Sequence, residues 1–346
     1  MMILIDLTAS CRTVSVIGMA KNTGKTATLN HLVAAAARAG LTVGLTSIGR
    51  DGEQLDALYN MPKPPVYLPA GALMATAAGA LDRARRPVDV LERTGFCTPL
   101  GEVVIARAKA GGPVELAGPH QTAELAAVCR RMLSMGARPA IIDGAFDRVA
   151  GAAPALAGGV ILATGAALDR RMETVVERTR VRVEQLRLPP VDGGLREAAC
   201  RAVSAGAVAV IDKAGVRPLP VRTALAIGDQ LAGALGSDTL AVAAAGAVGG
   251  GLLEILYAAL RRGLYMQLII KNATCLFVEP ELWRRFRAAG GEVRVLEPVR
   301  LLAVTVNPVS PTGYRFDARG FRHAVAEVVR PVPVFDVVGG ESMCFR

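Results

Sequence analysis

Apolar residues in this chain fall into short runs that alternate with stretches in which they recur every three or four positions. Runs at residues 14–17, 42–48, 66–68, 103–106, 114–117, 140–142 and 159–163 read as strands, and residues 25–38, 121–135 and 169–184 carry helical periodicity between several of them. The alternation continues in the second half. "AVAVID", "TLAVAAAG", "MQLIIKN", "TCLFVEP", "EVRVLE", "RLLAVTVNP" and "VPVFDVV" read as strands, with helices near 252–262, 280–289 and 321–329. Strands that are apolar on both faces and separated by helices predict an α/β fold with a mostly parallel sheet covered on both sides. The segment "RLPPVDGG" at 187–194 holds two prolines and two glycines after a long charged helix. It sets the expected division into a first domain over 1–190 and a second α/β domain over 191–346, the latter a candidate for partner binding.

Candidate chemistry concentrates at the first strand. "VSVIGMAKNTGKTATLNHL" runs from an apolar strand through a loop ending in Gly24, Lys25 and Thr26 into a helix. A phosphate loop needs this order. Bare backbone N–H groups and the positive helix end face a phosphate chain, and a lysine on the first helical turn reaches the terminal phosphates. Lys25 fits that role, Thr26 places a hydroxyl where Mg²⁺ would sit, and Gly24 lets the backbone approach. The expected nucleotide site is therefore Gly18, Lys21, Asn22, Thr23, Gly24, Lys25, Thr26 and Ala27, with ATP and Mg²⁺ as ligands. The usual pattern has four residues between its glycine and the Gly-Lys-Thr; here Met19 holds the usual glycine position, and five residues separate Gly18 from Gly24.

Two acids stand at strand ends. "GLTSIGRDGEQLD" places Asp51, with Glu53 behind it, in a glycine-rich loop where a water-orienting or metal-associated acid would lie. "RPAIIDGAFDR" ends an apolar strand in Asp143 and Gly144, a place for an acid that holds Mg²⁺ through water. Lys25 and Asp51 are the catalytic candidates; Thr26, Asp51 and Asp143 are the metal candidates. Thr94, Thr98, Glu102 and Glu115 cluster around turns, where ordinary capping accounts for them better than a site does. Asn307, Pro308, Ser310, Pro311 and Tyr314 form a proline-rich loop after a strand, suited equally to ligand contact and to simple connection. His31, His120 and His323 have no ligand spacing.

Composition changes this picture little. The net charge of +10 comes mostly from arginines dispersed along helices, and aromatics make up 4%, too few for stacking platforms, so nucleic acid is not an expected partner. The longest apolar runs are broken by glycine and fall short of the ~20 residues of a membrane span. The N-terminus lacks a basic leader with a cleavage site, so the expected location is cytoplasmic. Cys11, Cys97, Cys129, Cys200, Cys275 and Cys344 form no metal-ligand pattern and read as reduced, mostly buried thiols.

The five-residue loop spacing resembles that of dethiobiotin synthetase and the cobyrinic acid amidases, within the P-loop NTPase class. That resemblance implies an ATPase-like domain with a parallel sheet, followed by the second α/β domain. The early loop lysine of the related partitioning ATPases is not matched, because Ala20 takes its place and Lys21 comes one later. More broadly, "VSVIGMAKNTGKTATLNHL", "GLTSIGRDGE", "TGFCTPLGEVVIARA", "VELAGP", "IIDGAFDR", "ILATGAAL" and "LLAVTVNPVSPTGYRFD", in that order, resemble the reactivase subunit of lysine 5,6-aminomutase. The resemblance implies an ATP-binding and ATP-hydrolysing subunit that works with a MutS-like ATPase subunit to restore an inactivated adenosylcobalamin-dependent aminomutase; a homodimer is a further option. Two alternatives stand beside it: a carboxylate-activating ligase like dethiobiotin synthetase, and a non-hydrolysing nucleotide-sensing scaffold. A glutamine amidase is disfavoured, since Cys200 and Cys275 have only His323 in the second half and no nucleophile turn.

Overall fold

Thr13–Gly18 (β1) is a strand because five of its six residues can be buried on both faces, and it lies inside a ten-stranded sheet. The computed structural model describes residues 3–51, 65–84, 87–144, 156–220, 228–339 and 342–343. The other strands of this sheet are Gly44–Ser47 (β2), Leu73–Ala77 (β3), Val88–Thr98 (β4), Gly101–Ala108 (β5), Ala140–Asp143 (β6), Gly159–Gly165 (β7), Leu301–Asn307 (β8), Val334–Asp336 (β9) and Ser342–Met343 (β10). Their spatial order is β10-β9-β8-β7-β1-β6-β2-β3-β5-β4. Pairing is parallel from β9 through β3, and antiparallel only where β10, β5 and β4 are added at the two edges. The protein is thus α/β with a large, mostly parallel sheet.

Helices cover both faces of this sheet. Lys25–Arg38 (α1) buries Leu29, Leu32, Val33, Ala35 and Ala36 against Val14, Val16 and Ile161. On the opposite face Thr122–Ser134 (α3) buries Leu125, Val128, Cys129 and Met132 against Ala140 and Ile142. The short helix Ala78–Ala84 (α2) follows β3 with no intervening turn. Because the central strands run parallel, the carboxyl ends of β1, β2, β6, β7 and β8 share one edge, the edge at which open α/β sheets place their ligands.

The chain divides into two units, one comprising residues 1–180 and 300–346, the other 181–299. The first crossing falls inside the helix Met172–Leu186 (α4). This differs from the division 1–190 and 191–346 read from the sequence, chiefly at the second crossing. "RLLAVTVNP" and "VPVFDVV" belong to the first unit, because Leu301–Asn307 is in register with β7, Val160 opposite Leu301 and Gly165 opposite Asn307.

The second unit has its own five-stranded sheet. Thr239–Ala244, Gln267–Ile270 and Glu292–Val295 run parallel, while Val208–Asp212 and the edge strand Gly215–Pro218 add antiparallel. The helices Gly250–Arg261 and Pro280–Ala288 bury Leu252, Leu256, Trp283 and Phe286 against one face; Gly193–Ser204 packs Ala199 and Ala202 on the other. Among the described residues no helix is long and apolar enough to cross a membrane.

Candidate functional site

The loop between β1 and α1 combines bare backbone with a fixed cation. Gly24 takes φ +99°, and Asn22 sits at φ 62°, a region that asparagine tolerates better than other side chains. Thr23, buried between them, donates its hydroxyl to the Ala20 carbonyl at 2.9 Å. Gly18 is close to the same turn: a Cβ there would lie 3.0 Å from the Thr23 hydroxyl and 3.1 Å from the Ala20 carbonyl. The first main-chain bond of α1 runs from the Thr28 N–H to the Gly24 carbonyl, so the N–H groups of Thr26 and Ala27 precede the helical ladder. Together with those of Thr23 and Gly24 they have no protein acceptor among the described residues.

Lys25 opens α1 and turns back along β6. Its Nζ donates to the Gly144 carbonyl at 2.7 Å and lies 3.1 Å from Asp143 Oδ1. The Asp143 side chain is 4% exposed and that of Lys25 17% exposed, so the cation is the more accessible of the two. Asp143 reaches this place because β6 pairs parallel with β1, Val16 opposite Asp143. Gly144 sits in a tight place: a Cβ would stand 3.0 Å from the Val16 carbonyl and 3.1 Å from Ser15 Oγ, so a larger residue there would push its neighbours by a few tenths of an ångström.

The expected site residues are therefore largely together. Gly18, Asn22, Thr23, Gly24, Lys25, Thr26 and Ala27 form one loop and first turn, with Thr26 and Ala27 half-buried; Lys21 is exposed at the loop's apex, and Asp143 lies beneath Lys25. Backbone at Arg50–Asp51 pairs antiparallel with Leu116–Ala117. The side chain of Asp51 and all of Glu53 lie outside the described residues. In the antiparallel pair β4–β5, Thr94 donates to the Val103 carbonyl, Thr98 to that of Gly101, and Glu102 pairs with Arg93; Glu115, beyond β5, pairs with Arg83 of α2. Hydrogen bonds from Arg93 and Gly95 hold the Glu102 carboxyl below the usual range.

A neighbour of the loop stands out only in the structure. Asn307, at the end of β8, donates from Nδ2 to the Asn22 carbonyl at 3.4 Å and accepts the Val309 N–H at 3.1 Å. Two turns of hydroxyl bonds brace the surroundings. Thr28 donates to the Gly24 carbonyl and lies 2.7 Å from the Thr305 hydroxyl, while Thr179 of α4 contacts Thr164 at 2.8 Å and Met19 Sδ at 3.5 Å. Tyr314 donates to the Ala166 carbonyl, tying the loop after β8 to the one after β7. The proline-rich stretch had marked this loop in the sequence, but nothing there named Asn307's partner.

Of the described cysteines, Cys11 and Cys129 are buried, Cys97 is exposed, and Cys200 and Cys275 are half-buried, so burial is less general than expected. Set against models of protein families, characterised proteins and solved structures, the chain matches none.

Proposed function

We propose that this chain is a P-loop protein that binds Mg-ATP at Gly18–Ala27 and hydrolyses it, as the nucleotide-dependent subunit that reactivates an adenosylcobalamin-dependent aminomutase of the lysine 5,6-aminomutase type, together with a MutS-like ATPase subunit. The observation that carries the ATP site is Lys25 on the first turn of α1, over Asp143 at the end of the adjoining parallel strand. The aminomutase client rests on the sequence resemblance.

The residues present suit a nucleotide phosphate chain. N–H groups of Thr23, Gly24, Thr26 and Ala27 lack protein acceptors among the described residues, and they lie at the positive end of a fourteen-residue helix. Lys25 would exchange the Gly144 carbonyl and Asp143 for terminal phosphate oxygens. Thr26 and Asp143 would hold Mg²⁺, whose remaining ligands come from phosphate and water, and which would supply charge neutralisation on the phosphates. Asp51 keeps the assignment of orienting water. Phosphoryl transfer asks little more of a protein than such positioning and electrostatics. A reactivating subunit then favours the open client through differential binding to its two states.

The test is ATP turnover by the purified chain, alone and with the MutS-like subunit and an aminomutase carrying damaged cobalamin. Slow turnover alone, a rise on mixing, and recovered mutase activity when fresh adenosylcobalamin is added are expected. Asp51→Asn should bind ATP within a few-fold of wild type and lose most turnover. Turnover indifferent to the mutase, with no recovery, overturns the reactivase role; ADP release coupled to a small carboxylate would favour a ligase instead.

A further inference from the structure

The geometry points to Asn307 as a positioning residue that holds the Gly18–Gly24 loop in its anion-binding shape, an inference that rests on the nucleotide reading of that loop. Three observations converge on this side chain. Its Nδ2 donates to the Asn22 carbonyl. A Cβ on Gly24 would stand 2.8 Å from Asn307 Cβ. A Cβ on Gly165, at the end of β7, would stand 2.6 Å from the Asn307 carbonyl and 3.0 Å from its Cβ. Gly165 has φ −179°, which any residue adopts, so its glycine is there for space alone. Gly24, at the start of α1, and Gly165, at the end of β7, thus leave room for the backbone and Cβ of residue 307, which brings its amide to the loop.

The consequence for the loop follows from peptide geometry. The Asn22–Thr23 bond is trans, so fixing the Asn22 carbonyl toward Asn307 turns the Thr23 N–H away from it. That N–H is one of those with no protein acceptor among the described residues. Removing the Asn307 amide takes away one hydrogen bond that orients the Asn22 carbonyl, at a residue whose φ of 62° lies in the left-handed region. The Asn307 Oδ1 is fixed in turn by the Val309 N–H, which sets the amide's orientation. The pre-set loop therefore depends on a strand that joins the sheet only after the chain returns from residues 181–299.

The experiment compares wild type, Asn307→Ala, Lys25→Ala and Val309→Ala by Mg-ATP calorimetry, steady-state ATPase kinetics and hydrogen exchange of the loop amides. Asn307→Ala should weaken Mg-ATP binding roughly fivefold to tenfold, the scale of one lost hydrogen bond. Its kcat at saturation should stay within about twofold, because binding energy fills the same site once nucleotide is present. Loop amides 20–25 should exchange faster in the nucleotide-free protein, and Val309→Ala should behave as wild type. Wild-type affinity and exchange in Asn307→Ala, alongside lost binding in Lys25→Ala, overturn the inference and leave the nucleotide reading standing. If wild type binds no Mg-ATP, that reading falls, and unchanged exchange in Asn307→Ala removes the positioning role with it, whereas faster exchange keeps it.

Discussion

Replacing Gly24 by alanine perturbs the loop in two separable ways. At φ +99° an L-residue costs about 1–2 kcal/mol relative to glycine. The added Cβ also falls 2.8 Å from Asn307 Cβ, a carbon next to the backbone that cannot swing aside. Forcing such an overlap costs about 1–3 kcal/mol. Gly24→Ala should therefore lose about 2–5 kcal/mol, within the ~5–15 kcal/mol of a typical domain, so the protein still folds. Gly40→Ala isolates the first term, since Gly40 has φ +70° and nothing within 4 Å of an added Cβ. Urea unfolding followed by far-UV ellipticity reads both variants. The Gly24→Ala midpoint should fall below that of Gly40→Ala, and adding Asn307→Gly should return part of the difference. Equal midpoints for the two alanine variants would refute the close approach of Asn307.

Acid should weaken the fold through His31. Burial, with a smaller contribution from Arg38, holds the His31 imidazole below its ordinary value of 6.5 in the folded chain. The unfolded chain therefore takes up the proton first as pH falls, and stability is lost below about pH 6.5 until the folded value is passed. A urea midpoint that drops between about pH 7.5 and pH 5.5, by less in His31→Gln, is expected; the same drop in both proteins would exclude His31. Thiol labelling should follow burial: Cys129 is pushed up to about 12 and stays protonated, whereas Cys97 is exposed. Mass spectrometry of the native protein should find Cys97 modified first and Cys129 only after unfolding, and equal rates would contradict the burial of Cys129.

How much of this was legible in the sequence depends on the range over which the signal acts. The β1–loop–α1 unit was legible because its information is local: α1 spans the same residues, 25–38, that its periodicity predicts, and Asp143 ends an apolar run. β4 was not, because it is an edge strand with Asp89, Glu92 and Arg93 on it and little burial to impose alternation. β3 and α2 hide in an alanine-rich run with no turn residue between them. Gly193 and Gly194 suggested a linker but begin a helix after Asp192. The return of β8 to the first sheet is a pairing across more than a hundred residues, for which no local pattern exists. Asn307 was missed as a partner of Asn22 for the same reason.

The central claim is that the loop over Asp143 is an ATP site whose affinity depends on Lys25. Isothermal titration of Mg-ATP into wild type and Lys25→Ala tests it most directly. Binding by wild type, weakened roughly tenfold or more in the variant, about 1.4 kcal/mol at least, is the expected result. Equal affinity in the two proteins, or no binding by wild type, would contradict it.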